Sequence, residues 1–70
     1  MYDYIRRTYG TNLVVGQRVR HIITGNEGTI APEGMTHAHY VQVRFVFDGH
    51  DVTLPCHPKE LVDLALVDDK

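Results

Sequence analysis

The sequence predicts a mainly β fold, a small five-stranded barrel with a short N-terminal helical arm and a single helical turn before the last strand. Residues 15–30 alternate apolar and polar side chains, break at glycines and then alternate again, while residues 39–47 alternate without interruption. A chain of 70 residues has room for one small core. We therefore expect a single domain over residues 1–70, with an arm at 1–12 and a barrel at 13–67.

The N-terminal segment predicts a short amphipathic helix. Tyr2, Ile5 and Tyr9 have the spacing of one helical stripe, and Gly10 is suited to end the helix. A helix of this length is marginal in isolation, so we expect it to pack on the barrel as a cap. The alternative is that its aromatic and basic side chains form a contact surface for nucleobases or for protein.

The next two strands are predicted to form a hairpin. In the first strand Val19 and His21 face inwards, and Arg18 and Arg20 project together on the other face. A ring nitrogen of His21 is expected to form a hydrogen bond with the backbone. Residues 25–28 tolerate positive φ, so we expect the chain to reverse there.

Residues 39–47 give the clearest strand pattern in the chain. One face carries Val41, Val43, Phe45 and Phe47, and the other carries Tyr40, Gln42, Arg44 and Val46. In the segment before this strand, apolar and polar residues follow no clear period, which predicts a longer exposed loop.

The remaining elements follow from turn residues and proline. Asp48–Gly49–His50 predicts a tight turn, the prolines of residues 55–58 end the following strand, and residues 59–61 predict one helical turn. The predicted strands are 17–23, 29–30, 39–47, 51–54 and 62–67, with a loop at 31–38. The expected core is Val14, Val19, Ile30, Val41, Val43, Phe45, Leu54, Leu61 and Leu64. Closure of the sheet is expected to protect its edges.

Two runs, G-Q-R-V-R-H at 16–21 and G-N-E-G-T-I at 25–30, resemble the opening of SH3-like barrels of the KOW and Tudor-like kind. The resemblance extends over residues 14–66, and its fixed positions are Gly16, Val19, Gly25, Gly28 and Ile30. The chain is similar both to the KOW modules of ribosomal proteins and NusG and to the C-terminal Tudor-like domain of UvrD-type helicases. This resemblance implies binding to nucleic acid or to RNA polymerase.

Charge and composition narrow the function classes. A net charge of −2 argues against nonspecific duplex binding as the main activity, because that mode depends on many cationic contacts to phosphates. The single cysteine, Cys56, cannot form an internal disulfide, which fits a reducing compartment. The chain has no apolar run of membrane-spanning length and no signal-peptide pattern, so we expect a cytoplasmic protein that does not bind membranes.

The candidate binding residues are cationic, aromatic or amide side chains expected to face outwards: Arg6, Arg7, Arg18, Arg20, Tyr40, Gln42 and Arg44. We expect the strand of Arg18 and Arg20 and the strand of Arg44 to be neighbours. In a nucleic-acid site the arginines would contact phosphates and the tyrosine would stack on bases. In a protein site the same groups would be anchors against an acidic partner.

The leading hypothesis is a small non-catalytic interaction module that docks on a larger protein, with RNA polymerase as one candidate. The acidic C-terminal end slightly favours protein over nucleic acid. A free-standing domain of this size is also typical of phage and mobile-element accessory proteins that act on host proteins. The alternative is a nucleic-acid-binding accessory protein, and exposed strand edges leave open a homodimer.

The histidines and the cysteine suggest two further sites. A third hypothesis is a metal-stabilised domain that uses His37, His39, His50, Cys56 and His57, although the paired cysteines of a typical zinc site are absent. A catalytic Cys56–His57 pair is disfavoured because adjacent residues of an extended chain point to opposite faces. Without a triad, a carboxylate pair or a phosphate loop, we predict a non-enzyme that needs no cofactor.

Overall fold

The structure, a computed structural model, describes residues 2–11, 13–33 and 40–67, without the side chains of residues 66 and 67. The elements are α1 (Asp3–Tyr9), β1 (Arg18–His21), β2 (Glu27–Ile30), β3 (Val41–Phe47), β4 (His50–Cys56), a 3₁₀ helix (Pro58–Glu60), β5 (Leu61–Asp63) and α2 (Leu64–Val67). The mainly β class, the N-terminal helix and the helical turn before the last strand are confirmed. The predicted loop 31–38 lies mostly outside the described residues.

All five strands belong to one antiparallel sheet with the order β4-β3-β2-β1-β5. The first four form a meander, and the 3₁₀ helix returns the chain so that β5 lies beside β1. Over the described residues the sheet is open, with β4 and β5 as its edges, so the expected closure into a barrel is not observed.

The core forms where the inner face of the sheet meets the N-terminal arm. Its buried members are Tyr2, Ile5, Leu13, Val19, Ile30, Val41, Val43, Phe45 and Cys56. Three expected core residues are wrong. Val14 is 57% exposed, Leu54 is 42% exposed, and Leu64, which is only partly buried at the start of α2, does not belong to the core cluster of the described residues. Leu54 is paired with buried Val43, but it lies on an edge strand that no further strand covers. Leu61 packs against the core and is only partly buried.

The arm packs against the sheet, as the spacing of its apolar residues predicted. Tyr2 and Ile5 are fully buried, and Tyr9 packs against the core. The helix ends at Gly10, whose φ of 66° is left-handed and whose N–H donates to the Arg6 carbonyl at 2.9 Å. The cost of ordering this short helix is therefore offset by apolar burial.

The first hairpin differs from its prediction. β1 ends at His21, and the reversal occurs over residues 22–25, where Gly25 has a φ of 79°. Gly28 lies inside β2 instead of in the turn, between its sheet partners Val19 and Phe45. A side chain there would lie 2.7 Å from the carbonyl oxygen of Arg44, so this glycine permits close approach of β3.

The end of the chain also differs from its prediction. β4 continues through Pro55, which an edge strand tolerates because the missing N–H faces away from the sheet. The last strand is only three residues long, because a carboxylate oxygen of Asp63 accepts the N–H of Ala65 at 2.9 Å and begins α2. The predicted Asp48–Gly49 turn is confirmed, with φ values of 51° and 79° that match a two-residue hairpin.

Candidate functional site

Three outward side chains form a row across the middle of the sheet. Arg18 is paired with Thr29 on β2, and Thr29 is paired with Arg44 on β3, so all three project from the same face. The expectation that the two arginine strands are neighbours is wrong, because β2 lies between them. We call Arg18, Arg20 and Arg44, with the β2 residues between them, the arginine face.

Carboxylates accompany the arginines on this face. Arg20 Nη2 donates to Glu27 Oε2 at 3.1 Å, and Arg18 Nη2 lies 4.0 Å from the other oxygen of Glu27. Arg44 Nη1 lies 3.8 Å from Asp51 Oδ2 on β4. These side chains are about half exposed, so each pair contributes little to stability. The result is a surface of mixed charge instead of a continuous basic stripe.

The other two predicted residues on β3 have different surroundings. Gln42 is paired with Pro55 on the edge strand β4. Tyr40 lies just before β3, and its ring packs edge-on against His57 with centroids 6.2 Å apart. The ring of Tyr9 also packs edge-on against His57, at 5.1 Å. Tyr40 is therefore tied to the arm and to the start of the 3₁₀ helix while remaining accessible.

The two arginines of the arm have separate roles. Arg6 donates to the Leu13 carbonyl at 2.7 Å and to Asp3 Oδ1 at 2.7 Å, so its guanidinium holds the helix against the next segment. The hydrogen bond from Arg6 lowers the pKa of the Asp3 carboxyl. Arg7 is exposed and has no side-chain partner among the described residues. Of the two arm arginines, Arg7 is therefore the one that a partner could contact without breaking a hydrogen bond of the described residues.

The proposed metal ligands do not come together in the part of the chain that the structure describes. Within it no group of three or more His, Cys, Asp or Glu side chains is close enough to hold a metal ion. His37 and His39 lie outside the described residues.

The Cys56 thiol is buried and lies 3.8 Å from the carbonyl oxygen of Leu54. Burial, with a smaller contribution from Glu60, raises the pKa of this thiol, which favours the unreactive protonated form. His57 Nδ1 accepts the N–H of Lys59 at 3.1 Å, so that nitrogen is engaged with the 3₁₀ helix. Cys56 therefore fills the core, as its sequence context predicted.

The turn after β1 presents an apolar surface that sequence reasoning missed. Ile22 and Ile23 are 52% and 68% exposed, because β1 ends one residue earlier and both enter the turn. We call these two residues the isoleucine tip. The signal in the sequence is a pair of branched apolar residues immediately before Thr24-Gly25. The predicted strand 17–23 includes both residues, whereas in the structure they follow the end of β1.

Hydrogen bonds fix the isoleucine tip. The His21 N–H donates to the Asn26 carbonyl at 2.7 Å, and the Ile22 N–H donates to the Glu60 carbonyl at 2.9 Å. The His21 ring bridges Thr24 Oγ1 and Glu60 Oε1, each at 3.0 Å. The expected bond from this ring to the backbone is thus replaced by bonds to two side chains. The tip is held to the 3₁₀ helix as well as to β1.

A small pocket opens between the end of α1, the segment that follows it, the 3₁₀ helix and β5. Its volume is about 230 Å³, and its main lining residues are Thr11, Leu13, Gln17, Pro58, Leu61 and Asp63. These residues come from two stretches that are far apart in the sequence, residues 10–17 and 58–63, and no short motif marks them. Sequence reasoning therefore could not have assembled this pocket.

Neither helix of the described chain is long and apolar enough to cross a membrane. No protein-family model, curated protein or solved structure matches the sequence or the fold. The small antiparallel β fold is shown by the structure itself, and the relation to KOW and Tudor-like modules remains a hypothesis.

Proposed function

We propose that this protein is a small non-catalytic interaction module that docks on a larger protein. The observation that carries the proposal is the isoleucine tip, in which two adjacent branched side chains are exposed on a turn that hydrogen bonds hold in place. A single exposed apolar residue is ordinary, but a rigid pair loses little conformational entropy on entering a partner's apolar pocket. The tip is therefore suited to anchor an interface.

The arginine face supports a protein partner over a nucleic acid. Glu27 and Asp51 lie beside its guanidinium groups, so a phosphate backbone would meet carboxylates as well as cations. Binding to phosphates gains most from uncompensated Lys and Arg side chains. A protein surface, in contrast, can offer charges of both signs in a complementary pattern. We assign the arginine face to orientation of the docked partner and the isoleucine tip to affinity.

The resemblance of residues 16–21 and 25–30 to KOW and Tudor-like modules supports a partner in the transcription machinery, with RNA polymerase as the first candidate. These two runs supply β1 and β2, and the isoleucine tip lies in the turn between them. The resemblance and the proposed anchor therefore coincide on one hairpin.

The test is an affinity pull-down from lysate with the tagged protein, before and after nuclease treatment, with the retained proteins identified by mass spectrometry. The double variant Ile22→Ser/Ile23→Ser removes the anchor, and Val14→Ser is the matched control because Val14 is equally exposed. We expect one discrete protein to be retained after nuclease by the wild type and by the control, and to be lost with the double variant. Equal retention by all three proteins would refute the role of the isoleucine tip.

The second candidate function is nucleic-acid binding, which the row of Arg18 and Arg44 across three strands favours. It predicts that fluorescence anisotropy with single-stranded RNA or DNA detects binding that weakens steeply with salt. It also predicts that Arg18→Ala/Arg44→Ala abolishes this binding. Capture in the pull-down that disappears with nuclease would favour this function over protein docking.

A further inference from the structure

The pocket of about 230 Å³ beside α1 combines an apolar wall with three polar side chains. Leu13, Pro58 and Leu61 supply the apolar wall, while Thr11, Gln17 and Asp63 supply the polar groups. Sites for small ligands usually have this composition, and most of them are larger than this one. The volume suits one amino-acid side chain instead of a whole cofactor.

Each polar side chain of the pocket has unused hydrogen-bonding capacity. The Thr11 hydroxyl is buried and has no partner among the described residues, which is rare in folded proteins. Gln17 accepts the Val14 N–H at 2.9 Å through its carbonyl oxygen, and its amide N–H groups have no described acceptor. Asp63 accepts the Ala65 N–H through Oδ1 at 2.9 Å, and its other oxygen has no described donor.

These backbone contacts also fix the polar groups in place. Gln17 is held at one end by the chain before β1, and Asp63 is held by the first turn of α2. A group that is already ordered loses little entropy when a ligand binds.

Charge indicates which ligand the pocket takes. Asp63 is the only charged residue among the described residues that line it, and the nearby guanidinium of Arg6 is occupied by Asp3 and the Leu13 carbonyl. We propose that the pocket binds a lysine or arginine side chain of the docking partner, with the cationic group at Asp63 and the aliphatic stem against the apolar wall. This inference rests on the proposed docking function and adds a second anchor to it.

The remaining polar groups fit this ligand. A guanidinium or ammonium group has only donors, which suit the Asp63 carboxylate oxygen that has no described donor. The Gln17 amide donates, and a main-chain carbonyl of the same partner segment would accept from it.

The test is an NMR titration of the isotope-labelled protein with n-butylguanidinium, a mimic of the arginine side chain, and with neutral n-butylurea. We expect saturable shifts confined to the amides of Thr11, Gln17, Leu61 and Asp63 with the cation, and much weaker shifts with the urea. Asp63→Asn keeps an oxygen for the Ala65 N–H and removes only the charge. This variant should lower the affinity for the cation by about fivefold.

The matched control is Asp48→Asn, which makes the same charge change in the β3–β4 turn, where asparagine accepts a positive φ. It should bind the cation as the wild type does. Equal affinity for cation and urea, or an unaffected Asp63→Asn variant, would overturn the proposal.

The two proposals can fail independently. A pull-down that retains its protein while the titration shows no localised shifts would overturn the pocket alone. Saturable cation binding with no protein retained would overturn the docking function and assign the pocket to a free organic cation.

Discussion

The main-chain N–H of Gln42 donates to the phenol oxygen of Tyr2 at 3.1 Å. The same hydroxyl donates to the carbonyl of Ala31 at 2.7 Å, and the Ala31 N–H donates directly to the Gln42 carbonyl at 2.8 Å. Ala31 and Gln42 would be the next pair of the β2–β3 ladder after Ile30 and Val43. The Tyr2 hydroxyl therefore stands in place of one ladder hydrogen bond and joins the arm to the sheet.

The first prediction concerns this hydroxyl. Tyr2→Phe should lower the free energy of unfolding by about 1–3 kcal/mol, because it leaves the Gln42 N–H and the Ala31 carbonyl without their partner. Urea unfolding followed by circular dichroism measures the difference. Tyr9→Phe is the control, since the Tyr9 hydroxyl has no hydrogen bond among the described residues, and it should change stability by less than about 0.5 kcal/mol. Equal losses in the two variants would contradict the bridging role.

The second prediction is a loss of stability at alkaline pH. Burial raises the pKa of the Tyr2 phenol above its ordinary value of about 10, and Glu33 adds to this while the Gln42 N–H opposes it. Because the folded pKa lies above the unfolded pKa, this contribution to stability is complete below about pH 10 and is lost as pH rises through the folded pKa. Absorbance at 295 nm should show one of the four tyrosines ionising last, together with unfolding.

The control for the titration is Tyr2→Phe, which should lack the last-ionising phenol and lose less stability above pH 10. If all tyrosines of the wild type ionised together while the fold persisted, the buried position of Tyr2 would be wrong.

Local patterns predicted the elements whose structure depends on neighbouring residues. The helical spacing of Tyr2 and Ile5 predicted a packed arm, and the alternation around Val43 predicted the central strand. The Asp48–Gly49 turn followed from two residues that accept positive φ. In each case a short stretch of chain determines the backbone and its apolar side chains then face the core.

Tertiary context decided what the sequence did not predict. Leu54 has the alternation of a core residue, but it lies on the edge strand of an open sheet. It is exposed because no further strand of the described chain covers that edge. Thr11 and Asp63 are 52 positions apart in the sequence, and their shared pocket depends on the return of the chain to β1. The arginines of the arginine face are among the predicted binding residues. The carboxylates beside them, and the position of β2 between the two arginine strands, were not predicted.

The third prediction concerns Gly28. A Cβ atom there would lie 2.7 Å from the Arg44 carbonyl oxygen, 2.8 Å from a Val43 methyl and 2.9 Å from the Phe45 ring. Gly28→Ala should therefore destabilise the protein by about 2–3 kcal/mol in urea unfolding, because strand β3 must shift. Thr29→Ala, one position along the same strand, loses only an exposed hydrogen bond with Arg18 and should cost less than about 1 kcal/mol.

A double variant separates backbone from side-chain crowding at this position. Val43→Ala removes one of the crowded side chains, but it leaves the Arg44 carbonyl where it is. Gly28→Ala/Val43→Ala should therefore remain less stable than Val43→Ala alone. If the two were equally stable, the backbone contact would not limit this position.

The fourth prediction is that the Cys56 thiol reacts slowly in the folded protein. The thiol is buried, and burial raises its pKa, so both access and the thiolate fraction are low. Reaction with a disulfide reagent at pH 8 should be at least about 100-fold slower than in denaturing urea, and its rate should follow the opening of the protein. Tyr2→Phe should accelerate it by the factor by which the variant increases the opened fraction, about tenfold for each 1.4 kcal/mol of lost stability, because Tyr2 and Cys56 belong to the same core. A native rate equal to the unfolded rate would mean that the edge strand β4 does not protect its last residue, and would make Cys56 a reactive thiol instead of a core residue.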